Sequence, residues 1–309
     1  MGFRSGYSTL DHVFVLNSIL DLYLHKKKRI YAAFIDYKKA FDLVNRTSLW
    51  MKLIECNVNG KVIRVIYNLY EKAKSGIKQG SRISQFFTCK SGVRQGENLS
   101  PLLFAIYLND FERFLSRKYR GLNSLANDIR LLLSDDDVEI YLRLYALLYA
   151  DDTIIMAESE EELQAALEAL ENYCKLWDLT VNLDKTKIII FSRGMVKKHK
   201  KFVYEGKEVE VVHDYVYLGV NFHYNNSFVK GIDKQLTLGK KALFSMLTKI
   251  ESLNLPLDLQ FNLFDQLVVP VLTYGCEVWG YTNIHKLELF YRKFLKSAMK
   301  VSKYTASPI

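Results

Sequence analysis

The chain has 309 residues, of which 49% are hydrophobic and 25% charged, so it can bury the core of one large domain or two modest ones. Its short apolar runs exclude a membrane-spanning helix, and an N-terminus without an apolar signal region predicts an intracellular protein with no membrane partner. The net charge of +9 includes two basic runs, HKKKR (25–29) and KKHKK (197–201), which favour a polyanionic partner such as nucleic acid unless they are solvated loops. The four cysteines lack zinc-ligand spacing and are expected to be buried free thiols.

The N-terminal half alternates predicted helices with one buried strand. STLDHVFVLNSILDLYLH predicts a helix capped by Ser8 or Thr9, and the short apolar run RIYAAFID predicts a buried strand ending at Asp36. Further helices are predicted at about 46–56 and 61–74. A Gly- and Ser-rich hairpin region, KSGIKQGSRISQFFTCKSG, comes next, and SPLLFAIYLNDFERFL then predicts a helix with a proline in its first turn.

Strands dominate the middle of the chain and helices its last third. YALLYA and TIIMA predict two strands joined by a tight acidic turn, and SEEELQAALEALENYCKLWD predicts a helix with Ser159 and Glu162 as a capping box. TVNLDKTKIIIF and YVYLGVNF each predict a strand, and FVYEGKEVEVV predicts a hairpin turning at Glu205 and Gly206. Helical periodicity begins near 228, which places a candidate domain boundary at 222–228.

Three carboxylates lie where predicted strands end. Asp36 ends one buried strand, and Asp151 and Asp152 occupy the turn between two others. Neighbouring central strands would bring them together, and their mutual repulsion would be relieved by divalent cations. Mg²⁺ is held by such carboxylates together with substrate phosphates, and two ions suit phosphoryl transfer. The alternative for Asp151 and Asp152 is an ordinary turn, in which adjacent aspartates are common. The SDDD stretch at 134–137 is interpreted in that way and is expected to be a solvated loop.

Five motifs in order resemble the successive palm motifs of reverse transcriptases. They are FIDYKKAFDLVN (34–45), SGVRQGENLSPLLF (91–104), LLYADDTIIMAES (147–159), LTVNLDKTKIIIF (179–191) and YLGV (217–220). Within that superfamily, AFID-x3-AFD, GVRQGENLSP, YC-x2-W and LTYGCEVWG are most similar to the polymerase of non-LTR (LINE-type) retrotransposons. The resemblance implies an α+β fold: a right-hand polymerase palm, an antiparallel sheet with packed helices, with partial fingers in 1–225 and a helical thumb in 226–309.

The resemblance assigns metal and sugar contacts to the palm residues. Asp36 and Asp151 match the metal-binding aspartates, and Asp152 is the adjacent family acid. Phe41 matches the aromatic residue that packs under the nucleotide sugar and rejects a 2′-hydroxyl, although a Phe here can also be plain core.

Further positions match template, phosphate and proton-transfer roles. Gln95 and Gly96 match residues that contact the nascent base pair and the template, and Arg94 either meets a phosphate or is solvated. Lys185, with Lys187 as the alternative, matches the lysine that protonates the leaving pyrophosphate; a solvent-facing lysine is the other interpretation of either. YLGV would form a primer grip, and the helices after 228 would follow the duplex phosphates.

The implied activity is RNA-directed DNA polymerisation with two Mg²⁺ ions, Mn²⁺ being an alternative. The implied partners are an RNA template, a DNA primer and deoxynucleotide triphosphates. Two alternatives stay open: an inactive nucleic-acid-binding remnant, and a two-metal nuclease, which would have no use for a sugar gate. Because the Arg-Pro-Ile stretch that precedes the first motif in the family is missing, and an endonuclease and RNase H have no room, we expect an N-terminally truncated polymerase in the nucleus or cytoplasm.

Overall fold

The computed structural model describes residues 8–94, 96–119, 121–122, 146–149, 152–196, 198–253, 255–281, 284–302 and 304–305. Asp151, Gln95 and the SDDD stretch lie outside these ranges. The helices are α1 Thr9–His25, α2 Arg46–Glu55, α3 Gly60–Glu71, α4 Leu99–Tyr107, α5 Phe111–Leu115, α6 Glu160–Leu176, α7 Val229–Leu253, α8 Leu257–Leu267, α9 Val269–Leu272, α10 Cys276–Trp279 and α11 Ile284–Ala298. The strands are β1 Ile30–Ile35, β2 Lys74–Ser75, β3 Lys78–Gln79, β4 Arg82–Ile83, β5 Phe87–Thr88, β6 Ala146–Tyr149, β7 Asp152–Ala157, β8 Lys187–Phe191, β9 Phe202–Tyr204, β10 Lys207–Val209, β11 Asp214–Tyr217 and β12 Val220–His223.

An antiparallel sheet in the order β6-β7-β1-β8 forms the centre of the fold. Every residue of β1 is buried, which explains its continuous apolar sequence: both faces of this central strand are covered. Because side chains alternate along a strand, Tyr31, Ala33 and Ile35 face one core, and Ala32 and Phe34 face the other. Helices α2 to α6 pack on the first face, and α1 and the β11-β12 hairpin pack on the second. The expected α+β arrangement of an antiparallel sheet with packed helices is therefore confirmed.

The C-terminal helices build a third core of their own. It is formed by Met246, Ile250, Phe264, Val268, Leu272, Phe290 and Phe294, with the Phe264 and Phe294 rings stacked at a centroid distance of 3.9 Å. The helical character predicted after 228 is thus confirmed, but Ile232 and Trp279 pack into the core under the sheet. The division into 1–225 and 226–309 stays a prediction. Within the described ranges, no helix has both the length and the hydropathy needed to cross a membrane.

Several of the predicted turns and helix caps are confirmed. Ser8 caps α1 in a capping box completed by Asp11. Glu205 and Gly206, both at positive φ, form the turn of the β9-β10 hairpin. At α6 the predicted box is only half formed. Ser159 Oγ accepts a hydrogen bond from the Glu162 N–H, but the Glu162 carboxylate accepts from the Glu158 N–H instead of from Ser159.

Four expectations were wrong. YVYLGVNF is a hairpin, not one strand, because the chain reverses at Leu218 and Gly219 with φ of 45° and 84°. The helix predicted in SPLLFAIYLNDFERFL breaks between α4 and α5, and TVNLDKTKIIIF becomes strand only at Lys187, after a turn. Of the four cysteines only Cys174 is buried; Cys56 is exposed.

Candidate functional site

Two of the predicted carboxylates meet at one end of the sheet. In the antiparallel pairing of β1 with β7, Ile35 lies opposite Thr153, so the next position along each strand places Asp36 beside Asp152. Directly opposed residues of antiparallel strands project to the same face, and their Cβ atoms lie about 4.5–5.5 Å apart. Sequence separation therefore does not keep these acids apart.

A turn between α6 and β8 holds Asp36 in place. The Asp36 N–H donates to Thr186 Oγ1 at 3.1 Å, and the Asp36 carbonyl accepts from the Asn182 N–H at 2.7 Å. Thr186 is fully buried, which makes this contact hard to replace with water. The region predicted as the start of a strand is thus the loop that frames the carboxylate.

Lys185 projects from the same turn towards Asp36. Its Nζ lies 3.9 Å from Asp36 Oδ1, while 69% of its side chain remains exposed. Lys187, the alternative, is paired with Glu210 Oε2 at 2.7 Å. Of the two lysines, only Lys185 reaches the carboxylate end of β1 in this arrangement.

Tyr215 was not among the predicted site residues. Its ring stacks on Phe34 at a centroid distance of 4.6 Å, on the face that also carries Asp36. Burial, together with the nearby carboxylates of Asp152 and Asp36, raises the pKa of Tyr215 to about 12. The phenol is therefore a neutral hydrogen-bond donor beside the two acids. Its only sequence signal is its position just before YLGV.

Asp36 and Asp152 supply the donor type that a divalent cation requires. Carboxylate oxygens are the ligands that Mg²⁺ and Mn²⁺ prefer, and one or two protein carboxylates suffice when phosphates complete the shell. In the part of the chain that the structure describes, no group of three or more His, Cys, Asp or Glu side chains is gathered for a metal. The third acid of the motif, Asp151, lies outside that part. The two described acids fit such an ion.

Phe41 lies next to the loop that contains GVRQG. Its ring stacks on Phe104 of α4 at a centroid distance of 4.9 Å and remains partly exposed. The Phe41 carbonyl accepts from the Val93 N–H at 2.7 Å. Gly92, at a φ of 82°, packs so closely that a Cβ there would lie 2.5 Å from the Asp42 carbonyl oxygen. The loop and the start of the 41–44 segment therefore form one packed unit.

Arg94 is engaged with protein groups. Its guanidinium pairs with Glu97 and donates from Nη2 to the Leu69 carbonyl at 2.9 Å. Among the described residues, its chain neighbours apart, Gly96, at a φ of 84°, has no atom within 4 Å of where a Cβ would be. Gln95 lies outside the described residues.

The YLGV turn is held by the LTYGCEVWG motif. Tyr274 donates its hydroxyl hydrogen to the Leu218 carbonyl at 2.8 Å. A Cβ on Gly219 would lie 2.7 Å from the Tyr274 ring, so only glycine allows this approach. The Trp279 indole N–H in turn donates to the Tyr274 carbonyl at 3.1 Å. Two of the motifs that carried the resemblance are thus in direct contact.

The basic runs lie at the end of the sheet away from Asp36. Residues 25–29 precede β1, and Ile30 lies opposite Phe191, after which the chain leads to the second run. Lys200 and Lys201 of that run are paired with Glu161 and Glu208, so part of its charge is neutralised. Residues 25–29 are exposed.

Comparison with known proteins agrees with these observations. A family described as Reverse transcriptase (RNA-dependent DNA polymerase) matches residues 1–222. The chain is 23% identical over 305 residues to the RNA-directed DNA polymerase from mobile element jockey of Drosophila funebris, covering 96% of this chain and 31% of that protein. It is 24% identical over 288 residues to the probable RNA-directed DNA polymerase from transposon X-element of Drosophila melanogaster, covering 90% of this chain and 29% of that protein.

Among solved structures, apo telomerase from Candida tropicalis truncated from its C-terminal domain matches with a TM-score of 0.46 and 17% identity, covering 70% of this chain and 38% of that one. The chain spans about a third of the length of the curated relatives named above.

Proposed function

The chain belongs to the reverse transcriptase (RNA-dependent DNA polymerase) family, and we propose that it is a polymerase core of the non-LTR retrotransposon type, which extends a DNA primer on an RNA template. The observation that carries this proposal is the register of β1 and β7, which ends at Ile35 opposite Thr153 and so leaves Asp36 and Asp152 next to one another, with Lys185 near Asp36. A cluster of acids with one cation at its edge suits nucleotidyl transfer, in which negative charge gathers on phosphate oxygens.

In this proposal Asp36, Asp151 and Asp152 hold the divalent ions that the family uses, Mg²⁺ or, in its place, Mn²⁺. When bound, these ions supply activation of the attacking oxygen and neutralisation of the phosphates. Lys185 protonates the leaving pyrophosphate; its ammonium lies 3.9 Å from Asp36 Oδ1 and its side chain is largely exposed, so that substrate can approach it.

Residues of the neighbouring loop select and align the nucleotide. Phe41 packs under the deoxyribose of a deoxynucleotide triphosphate, supported from below by Phe104. Gly96 and Gln95 face the nascent base pair and the template, and Arg94 approaches a phosphate after exchanging its contact with Glu97. The helices of 226–309 follow the phosphates of the primer–template duplex.

Primer extension on an RNA template with Mg²⁺ and deoxynucleotides tests the proposal. Wild type is compared with Asp36→Asn, Asp151→Asn and a control, Asp265→Asn, which changes an exposed acid on α8. We expect extension by wild type and control and none by the two site variants. Salt-sensitive duplex binding without extension by any of them would instead identify an inactive remnant, and cleavage of the primer would identify a nuclease.

A further inference from the structure

Arg46, the first residue of α2, holds a loop rather than its own helix. Its guanidinium donates from Nη1 to the Cys89 carbonyl at 2.6 Å, from Nε to the Gly92 carbonyl at 2.9 Å and from Nη2 to the Ser91 carbonyl at 3.2 Å. A fourth hydrogen bond, from Nη1, reaches the Tyr70 carbonyl at the end of α3 at 3.3 Å. Four of the five N–H groups of an arginine are thus used on backbone oxygens.

The position of this arginine is unfavourable for α2 itself. A positive charge in the first turn opposes the helix dipole, which favours anions at the N-terminus. The N-cap of α2 is supplied by Asn45, whose side chain accepts from the Ser48 N–H. Arg46 therefore contributes little to starting the helix, and its contacts all point to residues 89–92 and the end of α3.

The segment that Arg46 holds is also attached by backbone hydrogen bonds and by a contact from Cys89 Sγ to Ser75 Oγ at 3.1 Å. It lies between the end of β5 and the start of α4. Two backbone hydrogen bonds connect it to the Phe41 region, from the Gly92 N–H to the Val44 carbonyl and from the Val93 N–H to the Phe41 carbonyl. The carbonyls of Cys89, Ser91 and Gly92 accept hydrogen bonds from Arg46. In a β-sheet, such carbonyls would accept from the N–H groups of a neighbouring strand.

A second arginine fixes the next part of the loop to the same aromatic residue. The guanidinium carbons of Arg46 and Arg94 lie 5.0 and 5.7 Å from the centroid of the Tyr70 ring. Tyr70 is buried, and its ring gives both cations a rigid surface. The loop leaves this anchor towards Gly96.

We propose that Arg46 is a positioning residue for template and nucleotide selection: it holds segment 89–94, which leads to Gly96, in the position from which the loop contacts the nascent base pair. This inference rests on the proposed polymerase function. The planar fork of arginine matches several carbonyls at once, whereas the ammonium of lysine cannot span them. Without the fork, the loop loses contacts with the bound nucleotide, which raises KM and weakens the discrimination against a mismatched nucleotide.

Arg46→Lys tests the proposal because it keeps the charge and removes the fork. We expect the apparent KM for the correct deoxynucleotide and the rate of misincorporation each to rise about tenfold, with kcat at saturating nucleotide nearly unchanged. Arg64→Lys, an exposed arginine on α3, is the matched control and should leave both values unchanged. Unchanged KM and fidelity in Arg46→Lys, or a fall in kcat that parallels a loss of folded protein, would overturn the proposal.

A second readout separates this inference from the polymerase proposal. Hydrogen exchange at the Gly92 and Val93 amides, measured without substrate, should be faster in Arg46→Lys than in wild type or Arg64→Lys. Unchanged exchange shows that Arg46 does not hold the loop, whatever the activity. Faster exchange in Arg46→Lys, together with a wild-type chain that extends no primer, leaves the anchoring intact and refutes the polymerase proposal, and with it the role in template selection.

Discussion

Two lysine–aspartate pairs in this protein have the same chemistry and opposite environments. Lys52 pairs with Asp110, and its side chain is 2% exposed; Lys185 lies near Asp36, and its side chain is 69% exposed. Lys52 Nζ lies 3.6 Å from the centroid of the Trp177 ring, while Asp110 also accepts a hydrogen bond from the Tyr173 hydroxyl at 2.7 Å. The Lys52 side chain is enclosed by packing while Asp110 keeps solvent contact, and the Lys185 side chain faces solvent.

The difference shows how the same two residue types, lysine and aspartate, can stabilise the fold in one place and take a proposed catalytic role in another. A buried lysine must be kept paired, because an unpaired buried charge destabilises the fold. The pair of Lys52 and Asp110 joins α2, the α4–α5 break and α6, and its aromatic walls are the YC-x2-W motif. At Asp36 the loose geometry leaves oxygen and ammonium groups available to substrate. We expect substitutions to affect folding at the first pair and catalysis at the second.

Asp36→Asn is the substitution with the largest expected effect. Loss of one ligand charge should lower the rate of nucleotide addition by about three orders of magnitude or more, a loss of transition-state stabilisation of about 4 kcal/mol. Because Asp36 and Asp152 repel each other without cations, the free energy of unfolding should stay the same or rise. Single-turnover kinetics and urea unfolding on the same preparation check both values. A large loss of stability would make Asp36 structural.

Lys52→Met should have the opposite profile. Breaking a fully buried ion pair destabilises by about 3–5 kcal/mol, and since Asp110 keeps solvent contact we expect about 2 kcal/mol here. Urea unfolding measures this loss. Lys175→Met removes an exposed pair with Glu171 and is the control, which should leave the free energy of unfolding nearly unchanged. Equal losses in the two variants would contradict the structural role of Lys52.

Lys185→Met should lower kcat about 10- to 100-fold, because the proposed role of its ammonium is to protonate the leaving group, and should leave the free energy of unfolding unchanged, because the side chain lies largely in solvent. Lys187→Met, two residues further, is the contrasting control because that lysine pairs with Glu210. A fall in kcat in Lys185→Met that is absent from Lys187→Met supports proton donation by Lys185, and an equal fall in both variants argues against it.

The smallest expected effect is the coupling energy between Lys185 and Asp36. A double-mutant cycle on Lys185 and Asp36 should give at most about 1 kcal/mol, decreasing with added salt, as for exposed pairs. The cycle on Lys52 and Asp110 should give a larger value that salt hardly changes. Equal salt dependence in both cycles would remove the distinction between the two pairs.

Local sequence was enough to predict several elements. The strand ending at Asp36, the cap at Ser8 and the hairpin at Gly206 depend on residues close in sequence, and each was confirmed. The sequence also suggested that neighbouring central strands would bring Asp36 and Asp152 together, and β1 and β7 are indeed paired. The roles assigned to the site residues stay predictions.

The errors arose where distant side chains decided the backbone. Leu218 has a positive φ that leucine disfavours, and the conformation is supported by Tyr274, 56 residues later. The break after α4 places Asp110 between Lys52 and Tyr173. No short-range pattern could have indicated either feature.

Periodicity and motifs of a few residues were enough to predict the apolar strands, the cap at Ser8 and the family. Long-range packing, in contrast, sets the position of Lys185 rather than Lys187 near Asp36, of Tyr215 on Phe34, and of Arg46 at the loop before Gly96. These contacts join side chains far apart in sequence, whose positions depend on sheet register and core packing.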